Sequence, residues 1–173
     1  MLIDCGEGTY GQMVRFFGLE KSIKVLSNLE AVYISHLHAD HHLGLFGLLQ
    51  GRQYSLAQIG ASKDNHKPVL LIAPHQISYW LKMYHFNFES IRSCYELVPA
   101  VGLLPKSTTL PNDEVLSRLN LQSIATCYVQ HCPNAFGLSF TTSDGFKLTY
   151  SGDTMPCQAL VDLGLDSDLL IHE

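Results

Sequence analysis

The chain has 173 residues, 46% of them apolar and 16% charged, and a formal net charge of −5 with histidines neutral. This is enough for one domain with a real core, and it excludes a disordered chain. A negative balance counts against a simple basic nucleic-acid binder, although bound divalent cations would bring positive charge of their own. Cys5, Cys94, Cys127, Cys132 and Cys157 are odd in number and form no CxxC pair. They therefore read as reduced thiols, not a disulfide framework. No apolar run reaches the length of about 18 residues that a membrane-spanning helix needs. Met1-Leu2-Ile3-Asp4 lacks the basic flank and long apolar region of a signal peptide.

Leu2-Ile3-Asp4 reads as the end of a strand, and Asp4-Cys5-Gly6-Glu7-Gly8-Thr9 as a glycine-punctuated turn. A helix follows with Tyr10, Met13, Val14 and Phe17 as a core stripe, stopped by Gly18. Asp4 is placed either to hydrogen-bond the outer nitrogen of a metal-bound histidine or to stabilise the turn. A short helix is expected over 20–28. The next strand, 30–35, holds the β-branched and aromatic run Ala31-Val32-Tyr33-Ile34 and leads into Ser35-His36-Leu37-His38-Ala39-Asp40-His41-His42. Alternation puts His36, His38 and Asp40 roughly on one side of that loop, with His41 turned toward a neighbouring point.

Residues 43–59 have helical spacing, and Gly44, Gly47 and Gly51 permit close packing. Residues 61–67 read as a polar loop with His66 solvated. A buried strand over 69–73 precedes a helix started by Pro74, with Ile77, Trp80, Leu81 and Tyr84 on one face and His75 and His85 at the surface. Residues 95–98 form a short strand, 99–112 a proline-rich loop and edge, and 110–119 a helical turn. The strand over 121–130 ends at His131. Ser143-Asp144-Gly145, between apolar arms at 136–142 and 146–151, is a hairpin signal. A short helix over 157–163 and a last strand over 168–172 complete the chain. Strands interleaved with helices predict an α/β fold of stacked sheets with helices outside, and 1–173 reads as a single domain.

Three strand ends carry candidate ligands: 36–41, His131 and Asp153. Zinc takes imidazole and carboxylate readily. Asp153 has two oxygens for bridging and Gly152 beside it for close approach. Cys132, next to His131, is either a thiolate ligand or, like most of the five cysteines, a small buried hydrophobe. The pattern His-x-His-x-Asp-His resembles the signature of the metallo-β-lactamase superfamily. On that basis His36, His38 and His131 hold one zinc, Asp40 and His41 hold a second, and Asp153 bridges. Two ions roughly 3.5–4 Å apart clamp a phosphoryl group and activate water. Mn²⁺ or Fe²⁺ also suits these donors, less well than zinc.

Further segments narrow the resemblance. The Asp4–Thr9 turn, residues 35–44, His131-Cys132-x-x-Ala135-Phe136-Gly137, Ser151-Gly152-Asp153-Thr154-x-Pro156-Cys157 and His172-Glu173 look like tRNase Z. The likeness is to the C-terminal catalytic half of its long eukaryotic form. The resemblance implies a metallo-β-lactamase-like αββα sandwich, here without its first strands and its C-terminal part. It implies hydrolysis of precursor tRNA just after the discriminator base, leaving a 3′-hydroxyl on the tRNA. Asp40 would bind zinc and orient or deprotonate the nucleophile, and Glu173 would support a catalytic histidine. The expected partners are precursor tRNA, no membrane, and either a second copy or an N-terminal half-domain. The expected location is intracellular, in nucleus and mitochondrion. In the family a further ligating histidine, and the histidine that assists the leaving oxygen, lie beyond the His-Glu strand. Glu173 is therefore expected to lack a partner here, and the 173 residues, which read as a partial domain, to be weak or inactive alone. Two other readings are a different hydrolase of the superfamily, a thioesterase or phosphodiesterase, and a non-catalytic module that binds RNA or a partner.

Overall fold

A computed structural model describes residues 1–61, 66–105 and 112–173. The expectations for the centre of the 61–67 loop and for 106–111 lie outside the described residues. The chain divides into two compact units, one of residues 1–34, 38–72 and 76–97, the other of 35–37, 73–75 and 98–173.

The first unit is built on a sheet of β1 (Leu2–Ile3), β2 (Ala31–Tyr33), β3 (Val69–Ala73) and β4 (Tyr95–Pro99), in that order. The chain passes into the second unit after Leu97. β1 pairs parallel to β2 and β2 to β3, with Val32 opposite Leu71. Every residue of β2 and β3 is buried, as continuous apolar strands of a parallel sheet must be. The helices of this unit are α1 (Thr9–Phe17), α2 (Leu19–Ser27), α3 (Ala39–His42), α4 (Leu45–Gln58) and α5 (Ile77–Asn87).

Three expectations are corrected here. The α1 stripe is half-buried, not core: no residue of α1 is buried, and Phe16 stands 82% exposed. The helix rests on α2 and α4 by one side only, where a Cβ at Gly51 would lie 2.6 Å from the Tyr10 ring. Nothing lies within 4 Å of a Cβ at Gly47, so that glycine is not a close-packing device. Alternation also stops short of Asp40. The amide of His41 bonds the His38 carbonyl (3.0 Å) and that of Leu43 the Ala39 carbonyl (3.0 Å). Residues 39–42 are thus one helical turn, which carries Asp40 and His41.

The second unit is built on β5 (Leu121–Tyr128), β6 (Phe136–Thr142), β7 (Lys147–Tyr150) and β8 (Leu169–Ile171), in that order, with helices α6 (Asn112–Leu119) and α7 (Gln158–Gly164). β5, β6 and β7 are antiparallel, and β8 runs parallel to β7. The hairpin signal corresponds to the β6–β7 turn. There Gly145 takes a φ of 92°, open to glycine without strain, and its amide bonds the Thr142 carbonyl at 2.9 Å. Cys127, Val129, Ala135 and Leu160 form a buried cluster, against which Cys132, Cys157 and Leu163 pack. Among the described residues no helix is long and apolar enough to cross a membrane.

Candidate metal centre

In the first unit the site begins at the end of β1. The Asp4 amide bonds the Tyr33 carbonyl (2.8 Å), extending the pairing of β1 with β2 by one residue. Asp4 then turns with a φ of 52°, a left-handed conformation that Asp tolerates better than most side chains. Its Oδ2 lies 2.7 Å from Nδ1 of His41. The chain continues alongside α3: the Cys5 amide bonds the His41 carbonyl (2.8 Å) and the Gly44 amide the Cys5 carbonyl (2.9 Å). A Cβ at Gly6 would lie 1.9 Å from the Asp40 carbonyl oxygen, and one at Gly44 would lie 2.0 Å from the Gly6 carbonyl oxygen. Both glycines are therefore required for this approach.

With Nδ1 held by Asp4, His41 directs Nε2 as its donor atom, and Oδ2 of Asp40 stands 3.6 Å from it. Asp40 is 80% exposed. His38 opens the turn with extended backbone and is exposed. His42 faces elsewhere: its Nδ1 lies 2.8 Å from the His38 carbonyl, and its ring meets Trp80 edge-on at 4.7 Å.

In the second unit His36 is wholly buried, with Nδ1 3.0 Å from the Ser35 hydroxyl oxygen. The Ser35 carbonyl accepts the Phe136 amide (3.0 Å), tying this segment to the start of β6. Gly152, with a φ of 58°, would carry a Cβ 2.9 Å from that of Ser35. Without a side chain there, the loop after β7 reaches the Ser35-His36 segment and delivers Asp153. Asp153 Oδ2 lies 3.8 Å from His36 Nε2 and 3.7 Å from His131 Nε2. The His36 and His131 rings meet edge-on at 4.7 Å. Cys132 Sγ and the ligand nitrogens of His36 and His131 lie within 4.8 Å of one another.

Glu173 makes a backbone contact within this unit. Its Oε1 accepts the Thr154 amide at 2.5 Å. The Thr154 hydroxyl oxygen in turn accepts the Gln130 amide (3.1 Å), and the Ser151 amide bonds the Ile171 carbonyl (3.0 Å). The parallel pairing of β8 with β7 places their ends together, so Glu173 holds the Asp153 loop. His66 is half-buried, not solvated; His75 is exposed; and His85 is half-buried, with Nδ1 accepting the Ile91 amide (3.3 Å).

The donor set fits zinc. Three nitrogen–oxygen separations of 3.6–3.8 Å are too long for hydrogen bonds. They are shorter than two zinc–ligand bonds laid end to end, about 4.0–4.3 Å, as donors sharing an ion across a bond angle must be. The orienting groups on the opposite nitrogens, Asp4 for His41 and Ser35 for His36, are those a metal-ligating imidazole needs. Sequence reasoning placed Gly6 in the glycine-punctuated turn and did not foresee its approach to the Asp40 carbonyl. It left Cys132 open, and the structure sets that sulfur beside the two imidazoles.

Comparison with solved structures defines the fold. The chain superposes on a long-form RNase Z from yeast with a TM-score of 0.84 at 24% identity, covering 98% of this chain and 27% of that one. It superposes on the metallo-β-lactamase fold protein YhfI from Bacillus subtilis with a TM-score of 0.63 at 16% identity, over 97% and 57% of the two chains. The fold is that of the metallo-β-lactamases. Within it, the chain belongs to the family described as Anti-Pycsar protein Apyc1, whose model matches residues 1–173. Curated relatives include the mitochondrial ribonuclease Z of Drosophila melanogaster, 49% identical over all of this chain and 22% of its own length. The zinc phosphodiesterase ELAC protein 2 of Rattus norvegicus is 44% identical over all of this chain and 21% of its own. The chain thus spans about a fifth of the length of these relatives.

Proposed function

We propose that these residues form part of the single catalytic domain of a zinc-dependent endoribonuclease that removes the 3′ trailer from precursor tRNA and leaves a 3′-hydroxyl. The observation that carries this reading is the repeated separation of 3.6–3.8 Å between a histidine Nε2 and a carboxylate, on the motif residues His36, Asp40, His41, His131 and Asp153. Relatives named ribonuclease Z and zinc phosphodiesterase support it.

In this reading His36, His38 and His131 hold one zinc, Asp40 and His41 a second, and Asp153 is shared. Zinc so held supplies Lewis acidity and a water nucleophile at neutral pH, and offsets charge on the phosphoryl group. In the same reading Asp40, exposed and beside His41, would orient or deprotonate the attacking water. Asp4 fixes the His41 tautomer, and Glu173 keeps Asp153 in place through the Thr154 amide. The substrate is precursor tRNA; the location is the mitochondrion, as in the name of the Drosophila relative, and the nucleus. The proposed protein partner is a second copy or an N-terminal half-domain, and the 173 residues alone are expected to be weak or inactive.

The test grafts residues 1–173 into the Drosophila relative in place of the matching segment. Cleavage of a precursor tRNA at its trailer junction, with zinc retained, is expected. A graft that holds zinc and splits only a bis-aryl phosphodiester moves the reading to another phosphodiesterase of this fold, which the name of the second relative also favours. A folded graft without zinc overturns the metal assignment.

A further inference from the structure

His131 and Asp153 stand on separate loops of the second unit, yet Oδ2 of Asp153 comes within 3.7 Å of His131 Nε2. The residue before the first and the two residues after the second join these loops. The Gln130 amide donates to the Thr154 hydroxyl oxygen (3.1 Å). The Gln130 carbonyl accepts the Met155 amide (3.0 Å), in an isolated antiparallel bridge outside the named strands. Both backbone groups of Gln130 are thus engaged by 154–155. The turn around Gln130 is narrow: the His131 amide bonds the Val129 carbonyl (3.2 Å), and the Val129 amide bonds the Ala135 carbonyl (3.1 Å). A displacement of Gln130 therefore carries His131 with it, and a displacement of Thr154 carries Asp153.

Thr154 is itself fixed. It is buried, its amide donates to Glu173 Oε1 (2.5 Å), and its hydroxyl proton goes to the Met155 carbonyl (2.7 Å). With that proton committed, the hydroxyl turns a lone pair toward the Gln130 amide. Branching at Cβ restricts the side chain to few rotamers, so the hydroxyl does not swing away freely.

We infer that Thr154 is a positioning residue for the metal held by His131 and Asp153: its hydroxyl locks their two loops at the separation that one ion requires. The inference rests on the metal-site reading above and deepens it. The physical reason is pre-organisation. An imidazole and a carboxylate already set at the right distance lose little freedom when an ion binds; on loops free to part, they must be ordered at that moment, and affinity falls accordingly. The coupling is reciprocal: whatever factor the closed clamp adds to metal binding, bound metal adds to closure of the clamp.

The probe is Co²⁺, titrated into the 173-residue chain and followed by its visible d–d bands. Thr154→Val keeps the shape and removes the hydroxyl; it should raise the Co²⁺ dissociation constant about 10–100-fold, as loss of a group that orients a metal ligand does. Thr154→Ser restores the hydroxyl on a less restricted side chain and should bind within about fivefold of the unaltered chain. Thr149→Val is the control. That hydroxyl is also buried, and its partners are the hydroxyls of Ser139 and Ser167. This variant should lose stability and keep its affinity. Unchanged affinity in Thr154→Val, no recovery in Thr154→Ser, or an equal loss in Thr149→Val overturns the positioning role and leaves the metal site standing. No Co²⁺ binding by the unaltered chain overturns the metal-site reading and the inference with it. If Thr154→Val fails to fold, hydrogen exchange at the Gln130 amide of the unaltered chain decides. By reciprocity, bound zinc should slow that exchange about 10–100-fold. Equal exchange with and without zinc overturns the inference.

Discussion

In the parallel-sheet unit a carboxylate holds the imidazole of His41; in the hairpin unit a hydroxyl holds that of His36. The His41 pair is partly exposed, with Asp4 Oδ2 2.7 Å from Nδ1. The His36 pair is buried, with Ser35 Oγ at 3.0 Å. Burial explains the choice. A carboxylate in a water-excluded pocket needs several compensating bonds, whereas a hydroxyl satisfies one ring nitrogen at far smaller desolvation cost. The partly wet site can keep the charged partner, which makes the imidazole a stronger donor. The same task, fixing Nδ1 so that Nε2 is presented, is therefore done with different chemistry according to depth.

The largest effect should come from the carboxylates that face Nε2. Asp40→Ala, at an exposed side chain, should leave thermal unfolding almost unchanged while kcat on precursor tRNA, measured in the graft, falls by orders of magnitude. Near-normal turnover would remove Asp40 from the reaction. Asp153→Ala should cost zinc as well, because this carboxylate faces both His36 and His131; elemental analysis of the purified chain reads it directly.

The orienting partners come next, and they test the contrast itself. Asp4→Ala should weaken metal binding about 10–100-fold. Ser35→Ala removes one neutral hydrogen bond, about 0.5–1.5 kcal/mol, and should weaken binding by roughly tenfold or less. Equal losses in the two variants, by calorimetric titration, would show that depth does not decide the partner. Gly6→Ala should destabilise the first unit by about 1–3 kcal/mol, since the new methyl meets a backbone oxygen, not a movable side chain. Urea melts measure it.

The smallest effect concerns the thiols. Burial pushes Cys5 up to about 12 and Cys127 up to about 11. Folded, these groups keep protons that unfolded thiols lose near a pKa of about 8.5. Their contribution to stability is thus complete below that pH and declines as pH rises toward 11–12. Urea melts at successive pH values should show the decline, and Cys5→Ala with Cys127→Ala should flatten it.

The parts of the fold that a local pattern determines were legible. Ala31–Tyr33 and Val69–Ala73 are apolar runs that only a buried parallel sheet accommodates, and Ser143-Asp144-Gly145 carries its own turn chemistry. The candidate donors His36, His38, Asp40 and His41 stood out for the same reason, because their spacing is local. What was not legible depends on pairing distant in sequence. Glu173 gains the Thr154 amide only because β8 runs parallel to β7. Gly6 is required only because 40–44 folds back along 4–6. The α1 stripe looked like core because periodicity reports one face of a helix but not how much of the protein covers it.

Gly6 and Gly44 press on the same stretch of backbone from two directions, one toward the Asp40 carbonyl and the other toward the carbonyl of Gly6 itself. Their tolerances are consequently coupled. A chain that has shifted to admit a methyl at one position has already opened part of the gap the other requires, so the double substitution should cost less than the sum of the two. A double-mutant cycle on the two glycines reads that coupling directly.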